Sequence, residues 1–246
     1  MLDKFSKAFG ILADNLPLFL SIQLIALPVT IGFEFSVGAD PEALPFAHWS
    51  WLAPSILVNV LIVGAVYAAL KDLEQNNRAS LVNSLKASLS TYIALLMAML
   101  CVGLIVGVGF VAFVIPGIYF ALRFSLVFLV VVLEGLPLSA SLERSHELMQ
   151  GRKLELLACW ILFVIGFVFL NLALFLFATL FSLDDSLWTQ VAISFVGQVV
   201  AIAIQIVVFL FYLEAISESS EAHSGFSGDG KADTSPQDAD NGRFDA

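Results

Sequence analysis

Arg123 is the one basic residue that the sequence sets inside an apolar run, and a guanidinium at membrane depth has two uses. It can hold an anion, a lipid headgroup or a solute, near the outer leaflet. Alternatively it snorkels to the interface or pairs with Glu34 at the outer end of the first apolar run. The second reading is the plainer one, because a charge about two turns from a helix end, at ~1.5 Å per residue, needs no mechanism to be tolerated. Glu134 closes the fourth run and comes within reach of Arg144 or Arg152 if the segment between them folds back; its expected role is an interfacial ion pair. Asn59, Asn171, Gln198 and Gln205 are neutral amides suited to hydrogen bonds between helices, and Gly103 with Gly107 makes a small-xxx-small packing face, with Pro116 and Gly117 at the turn beyond.

Catalytic patterns fail on inspection. His146-Glu147-Leu148-Met149-Gln150 resembles a zinc-protease helix, but Gln150 stands where the second imidazole is needed. His48 and His223 are too scattered to complete a metal site with His146, and the aspartates around Gly230 lack the spacing of a calcium loop. No phosphate-binding glycine loop or nucleophile turn is present. The sequence thus names no catalytic residue, metal or cofactor, and a non-enzyme is expected.

The elements that must carry these side chains are set by composition. Of 246 residues, 59% are apolar and 13% charged, against roughly 45–50% and about 25% in soluble domains, which excludes a water-soluble globule. Residues 214 to 246 hold eight acids and two bases, so this tail supplies -6 of the net charge of -10. The remaining bases are scattered over segment ends, leaving no basic field for nucleic acid. Cys101 and Cys159 sit inside apolar runs as small hydrophobes.

Apolar windows of about 20 residues predict six transmembrane helices at 16–35, 52–70, 92–114, 118–133, 155–181 and 188–213. The expected fold is therefore all-α, a polytopic helical bundle. Residues 1–213 would form the membrane domain and 214–246 an acidic, disordered cytoplasmic tail. The extreme N-terminus lacks signal-peptide order, since Asp3 and Asp14 interrupt it. Ten of the eleven bases fall on one side of this layout and loops 36–51, 115–117 and 182–187 hold none, which puts both termini in the cytoplasm. Trp49, Trp51 and Trp188 then mark the outer interface, and Tyr92 and Tyr212 the inner one.

Short segments before the odd-numbered spans place apolar residues at helical spacing: Phe5, Phe9 and Leu12; Leu81, Leu85 and Leu89; Leu138, Leu142 and Leu148 with Met149. They read as interfacial amphipathic helices, each leading into a transmembrane hairpin. The chain would then be a threefold repeat at about 1–71, 78–134 and 137–213, unless these are only ordinary short loops.

Residues 115–157 resemble a region shared by the YciC-like family of uncharacterised bacterial inner-membrane proteins and the membrane domain attached to some glycerophosphodiester phosphodiesterases. The likeness rests on Pro116-Gly117, Glu134 and the run Ser139-Ala140-Ser141-Leu142-Glu143-Arg144-Ser145. It implies an inner-membrane location and six spans, and it brings no catalytic residue, because the phosphodiesterase activity of the fused relatives resides in a separate soluble domain. Non-enzymatic organisation of membrane lipids or of membrane protein partners, self-association included, is the expected function. A small transporter or channel is the alternative, to which Arg123 and the breaks at Pro28 and Pro116 answer.

The base asymmetry predicts that cysteines placed at Ser36 and Ser186 react with an impermeant maleimide in intact cells, while one at Ser227 is labelled only after lysis.

Overall fold

The computed structural model describes residues 2–39, 45–76, 78–181 and 187–228. Every regular element among them is helical, and six helical stretches are long and apolar enough to cross a membrane: 16–35, 50–76, 81–112, 114–133, 153–180 and 188–219. The chain is a multi-pass helical membrane protein.

Helix α1 (Leu2–Asp14) is amphipathic and lies against the last helix, burying Ala8 and Leu12. It stops at Asn15, whose side-chain amide donates to the Ile11 carbonyl at 3.0 Å. The first span is discontinuous, with α2 (Leu16–Gln23), a 3₁₀ turn at Leu24–Ala26 and α3 (Leu27–Ala39). Pro28 causes the break, because it has no N–H to return to the preceding turn. The long helices α4 (Pro45–Asn76) and α5 (Leu81–Ala112) pack as an antiparallel pair.

Phe113, in extended conformation, is the whole connection between α5 and α6 (Val114–Arg123). The turn thus precedes Pro116-Gly117, which sit in the first turn of α6, where a proline costs no hydrogen bond. A second break at Phe124–Leu126 separates α6 from α7 (Val127–Leu133) within the fourth span. Gly135, at φ 67°, ends α7 in the left-handed conformation that other residues adopt at a cost. Helix α8 (Leu138–Leu148) follows, then Gly151 at φ 79°, α9 (Lys153–Leu180) and α10 (Leu187–Gly228).

Helices α4 and α10 form the centre, with Val66, Leu70, Ile206 and Phe211 buried against Phe19 and Ile22 of α2, Leu126 of the break and Leu129 of α7. Helix α9 lies at the periphery, its Val168, Phe169, Leu172 and Phe175 facing outward. In lipid such exposure carries no hydrophobic penalty, so packing decides which helices associate.

Two expectations are corrected. The amphipathic segment at 81–89 is no separate interfacial helix; it is the start of α5, and its Ser84 and Ser88 are fully buried. Both hydroxyls bond to carbonyls, Ser84 to Ser80 at 3.0 Å and Ser88 to Leu61 at 2.7 Å, which removes the reason to stay at the surface. Only the first and third units of the expected repeat therefore have a distinct amphipathic helix. The boundary at residue 214 also moves, since 214–228 continue α10; residues 229–246 lie outside the described residues.

Gly64 shows how closely α4 and α5 approach. A Cβ there would lie 2.4 Å from Ser88 Oγ and 2.7 Å from Leu95 Cδ1. Gly64→Val is expected to lower stability by about 1–3 kcal/mol through overpacking, whereas Gly107→Ala, which meets nothing within 4 Å, should change it little. Thermal unfolding in detergent measures both.

Candidate functional site: a cavity beside unpaired cations

One end of the bundle is tied by charges. Lys4 of α1 pairs with Glu155 of α9 at 2.9 Å and with Glu214 of α10 at 2.5 Å. Arg152 pairs with Glu214 at 3.3 Å and with Glu218. Arg144 lies 3.6 Å from Glu134 and 3.5 Å from Glu147, and Tyr212 donates to Glu134 at 2.9 Å. Of the two partners open to Glu134, Arg144 is the one it meets. Burial lowers the Lys4 pKa, but hydrogen bonds to Glu214 and Glu155 outweigh it, so the net shift is upward. Pairs this exposed contribute about 0–1 kcal/mol each; their main effect is to bring α1, α7, α8, α9 and α10 to one end.

Arg123 does not lie beside Glu34. Ser145 of α8, fully buried, donates to the Arg123 carbonyl at 3.0 Å, and Lys153 at the start of α9 donates to the Tyr119 hydroxyl at 3.3 Å. The C-terminal half of α6 is thereby held against α8 and α9. Glu34 instead accepts from Ser194 of α10 at 2.5 Å. Arg123 is the last residue of α6, and α8 folds back on the break at Phe124–Leu126 that follows it.

Around Arg123 the charges are unbalanced. Among the described residues neither Arg123 nor Lys153 forms a salt bridge, whereas Lys4, Arg144 and Arg152 do. The Nε of Arg123 and the Nδ1 of His146 are shielded from solvent and lack a hydrogen-bond partner. Desolvation, then the positive charges of Arg123 and Lys153, hold the His146 imidazole below its usual pKa, with Glu147 opposing. The guanidinium lies 5.4 Å from the Phe124 ring.

The same segment walls a cavity of about 450 Å³, lined by Val60, Tyr67, Leu95, Gly103, Phe124, Phe128, Trp160 and Val208 among others. That size suits a small-molecule or lipid-chain site. Its few polar groups include Asn59, Ser125, whose hydroxyl bonds to the Leu122 carbonyl at 2.9 Å, and Gln205, whose Oε1 is buried without a partner. Gly103 and Gly107, read as a packing face, meet nothing within 4 Å, and Gly103 lines the cavity. Close helix contact occurs instead at Gly109 and Gly117, where a Cβ on Gly117 would lie 2.5 Å from the Phe110 ring.

A smaller cavity of about 230 Å³ lies between the first, second and sixth spans, lined by Gln23, Thr30, Glu34, Ser55, Asn59, Ser194 and Gln198 among others. Gln198 bridges helices as expected, accepting from Gln23 and donating to Thr30 at 2.9 Å. Asn171 does not, since it bonds within α9 to the Phe167 carbonyl at 2.8 Å. Gln23, Thr30 and Ser194 were missed in the sequence; the available signal was that Gln23 is the one amide in the first apolar run. Among the described residues no three His, Cys, Asp or Glu side chains converge as a metal site. Comparison with protein-family models, curated proteins and solved structures finds no match.

The His146 environment predicts a pH response. Its pKa is depressed on folding, so the unfolded chain takes up the proton first, near pH 6.5. Its contribution is complete above that value and declines as pH falls toward the folded pKa. The melting temperature of the wild type, relative to His146→Gln, should therefore fall between pH 7.5 and 5.5; a constant difference would contradict the lowered pKa.

Proposed function

We propose that this protein is a non-enzymatic lipid-binding protein of the bacterial cytoplasmic membrane, organising lipids or partner membrane proteins around the bundle. The observation that carries the reading is the apolar cavity of about 450 Å³ among helices that cross the bilayer, where acyl chains are the abundant occupant. The likeness of residues 115–157 to YciC-like proteins supports the location. Cytoplasmic termini are supported by the grouping of Lys4, Arg144, Arg152 and Lys153 at one end of the bundle.

A second reading, a small transporter or channel, is favoured by one observation: the polar cavity around Glu34 beside the broken first span. In that case Glu34→Gln would abolish uptake or retention of a small solute and leave lipid content unchanged.

The test is purification in native lipid followed by mass spectrometry of what co-isolates. The wild type should retain defined lipid, and Gly103→Leu, which places a side chain in the cavity, should retain several-fold less while melting normally. Equal retention by both proteins would remove the cavity as the lipid site.

A further inference from the structure

We propose that Tyr119, Arg123, His146 and Lys153 recognise the phosphate of an anionic phospholipid whose acyl chain occupies the apolar cavity. The proposal rests on the lipid-binding reading above and adds the headgroup class. Three observations carry it. First, of the basic side chains that meet around α8, Arg144 and Arg152 pair with carboxylates, while among the described residues Arg123 and Lys153 do not. Glu147, the acidic neighbour of His146, is engaged by Arg144. Second, Arg123 Nε and His146 Nδ1 are withdrawn from water with no partner. The Arg123 Nε–H, and His146 in the tautomer that carries its proton on Nδ1, are donors that an acceptor with several lone pairs, such as a phosphate oxygen, satisfies. The Tyr119 hydroxyl accepts from Lys153, so its proton remains available to the same anion.

Third, the cluster and the cavity are joined along α9, where Lys153 lies seven residues, and so on one face, before Trp160, which lines the cavity, a rise of about 10 Å. On α6, Tyr119 and Arg123 stand at i and i+4 on one side, while Ala121 on the other side and Phe124 and Ser125 beyond the helix end line the cavity. A headgroup at the cluster, with its chain running along α9 into the cavity, makes one elongated amphiphile. Two unpaired cations favour a headgroup with net negative charge over one whose phosphate is already balanced by an ammonium.

The full-length protein, delipidated in neutral detergent, is titrated with dioleoyl phosphatidylglycerol, with dioleoyl phosphatidylcholine and with millimolar inorganic phosphate, reading bound mass by native mass spectrometry and the melting temperature. Phosphatidylglycerol should bind about tenfold tighter than phosphatidylcholine, the size expected from one or two basic contacts. Arg123→Gln and Lys153→Gln should each reduce that preference several-fold and leave phosphatidylcholine binding unchanged, which also shows that each variant is folded. Should Arg123→Gln lose both lipids, Lys153→Gln, at the start of its helix, decides. Inorganic phosphate should neither bind nor shift the melting temperature; stabilisation by phosphate equal to that by phosphatidylglycerol would make this a solute site and overturn the lipid assignment. Equal binding of the two lipids, lost together in Gly103→Leu, would overturn the headgroup proposal and leave the lipid cavity standing. Absence of binding by either lipid would remove both.

Discussion

Hydrocarbon offers no water to the backbone, so every carbonyl released by a break in a membrane helix has to find a donor inside the protein. This chain breaks its first and fourth spans, and the donors around those breaks organise the rest of the bundle. At the fourth-span break, Ser125 turns back to the Leu122 carbonyl and Ser145 of α8 reaches the Arg123 carbonyl. Farther along the same span, Lys71 of α4 donates to the Leu133 carbonyl at 2.9 Å. These bonds require α8 to fold back against the fourth span, which in turn fixes where α9 begins. At the first-span break, Thr30 bonds to the Ala26 carbonyl at 3.1 Å and receives the Gln198 amide, tying the break to α10. The repair of each break is thus also a tertiary contact.

Small side chains provide the room for this arrangement. Gly64 admits Ser88, and Gly109 and Gly117 let α5 and α6 meet across a one-residue connection. Since lipid tails are as apolar as leucine, such close contacts and the polar bonds they permit separate the central helices from the peripheral α9. The exposed apolar face of α9 is what a lipid-contacting helix is expected to present.

Hydropathy made the spans legible, because a window of about 20 apolar residues has few alternatives; the fourth span was read to end at 133, as it does. What escaped was anything set by a partner distant in sequence. Ser84 and Ser88 read as the polar face of a surface helix, yet each loses its cost of burial once its hydroxyl meets a carbonyl. The spacing of Gly103 and Gly107 was legible and its meaning was not, since four-residue spacing says two glycines share a face without saying what faces them. The 3₁₀ turn was half visible in Pro28; the Phe124–Leu126 break has no proline or glycine to announce it.

That second break explains how a charge and a cavity come to lie together. The interruption at Phe124–Leu126 supplies Phe124 and Ser125 to the wall of the larger cavity, which residues of α4, α5, α9 and α10 complete. The same interruption makes Arg123 the last residue of a helix, where the partial negative charge of the terminal carbonyls favours a cation. Lys153 stands at the opposite kind of end, the start of α9, where helix polarity favours an anion but the side chain is positive. A cation at the start of a helix is a local mismatch, and so is a guanidinium without a carboxylate among neighbours that have them. A negative group between Arg123 and Lys153 relieves both, and the cavity beside them opens among membrane-spanning helices.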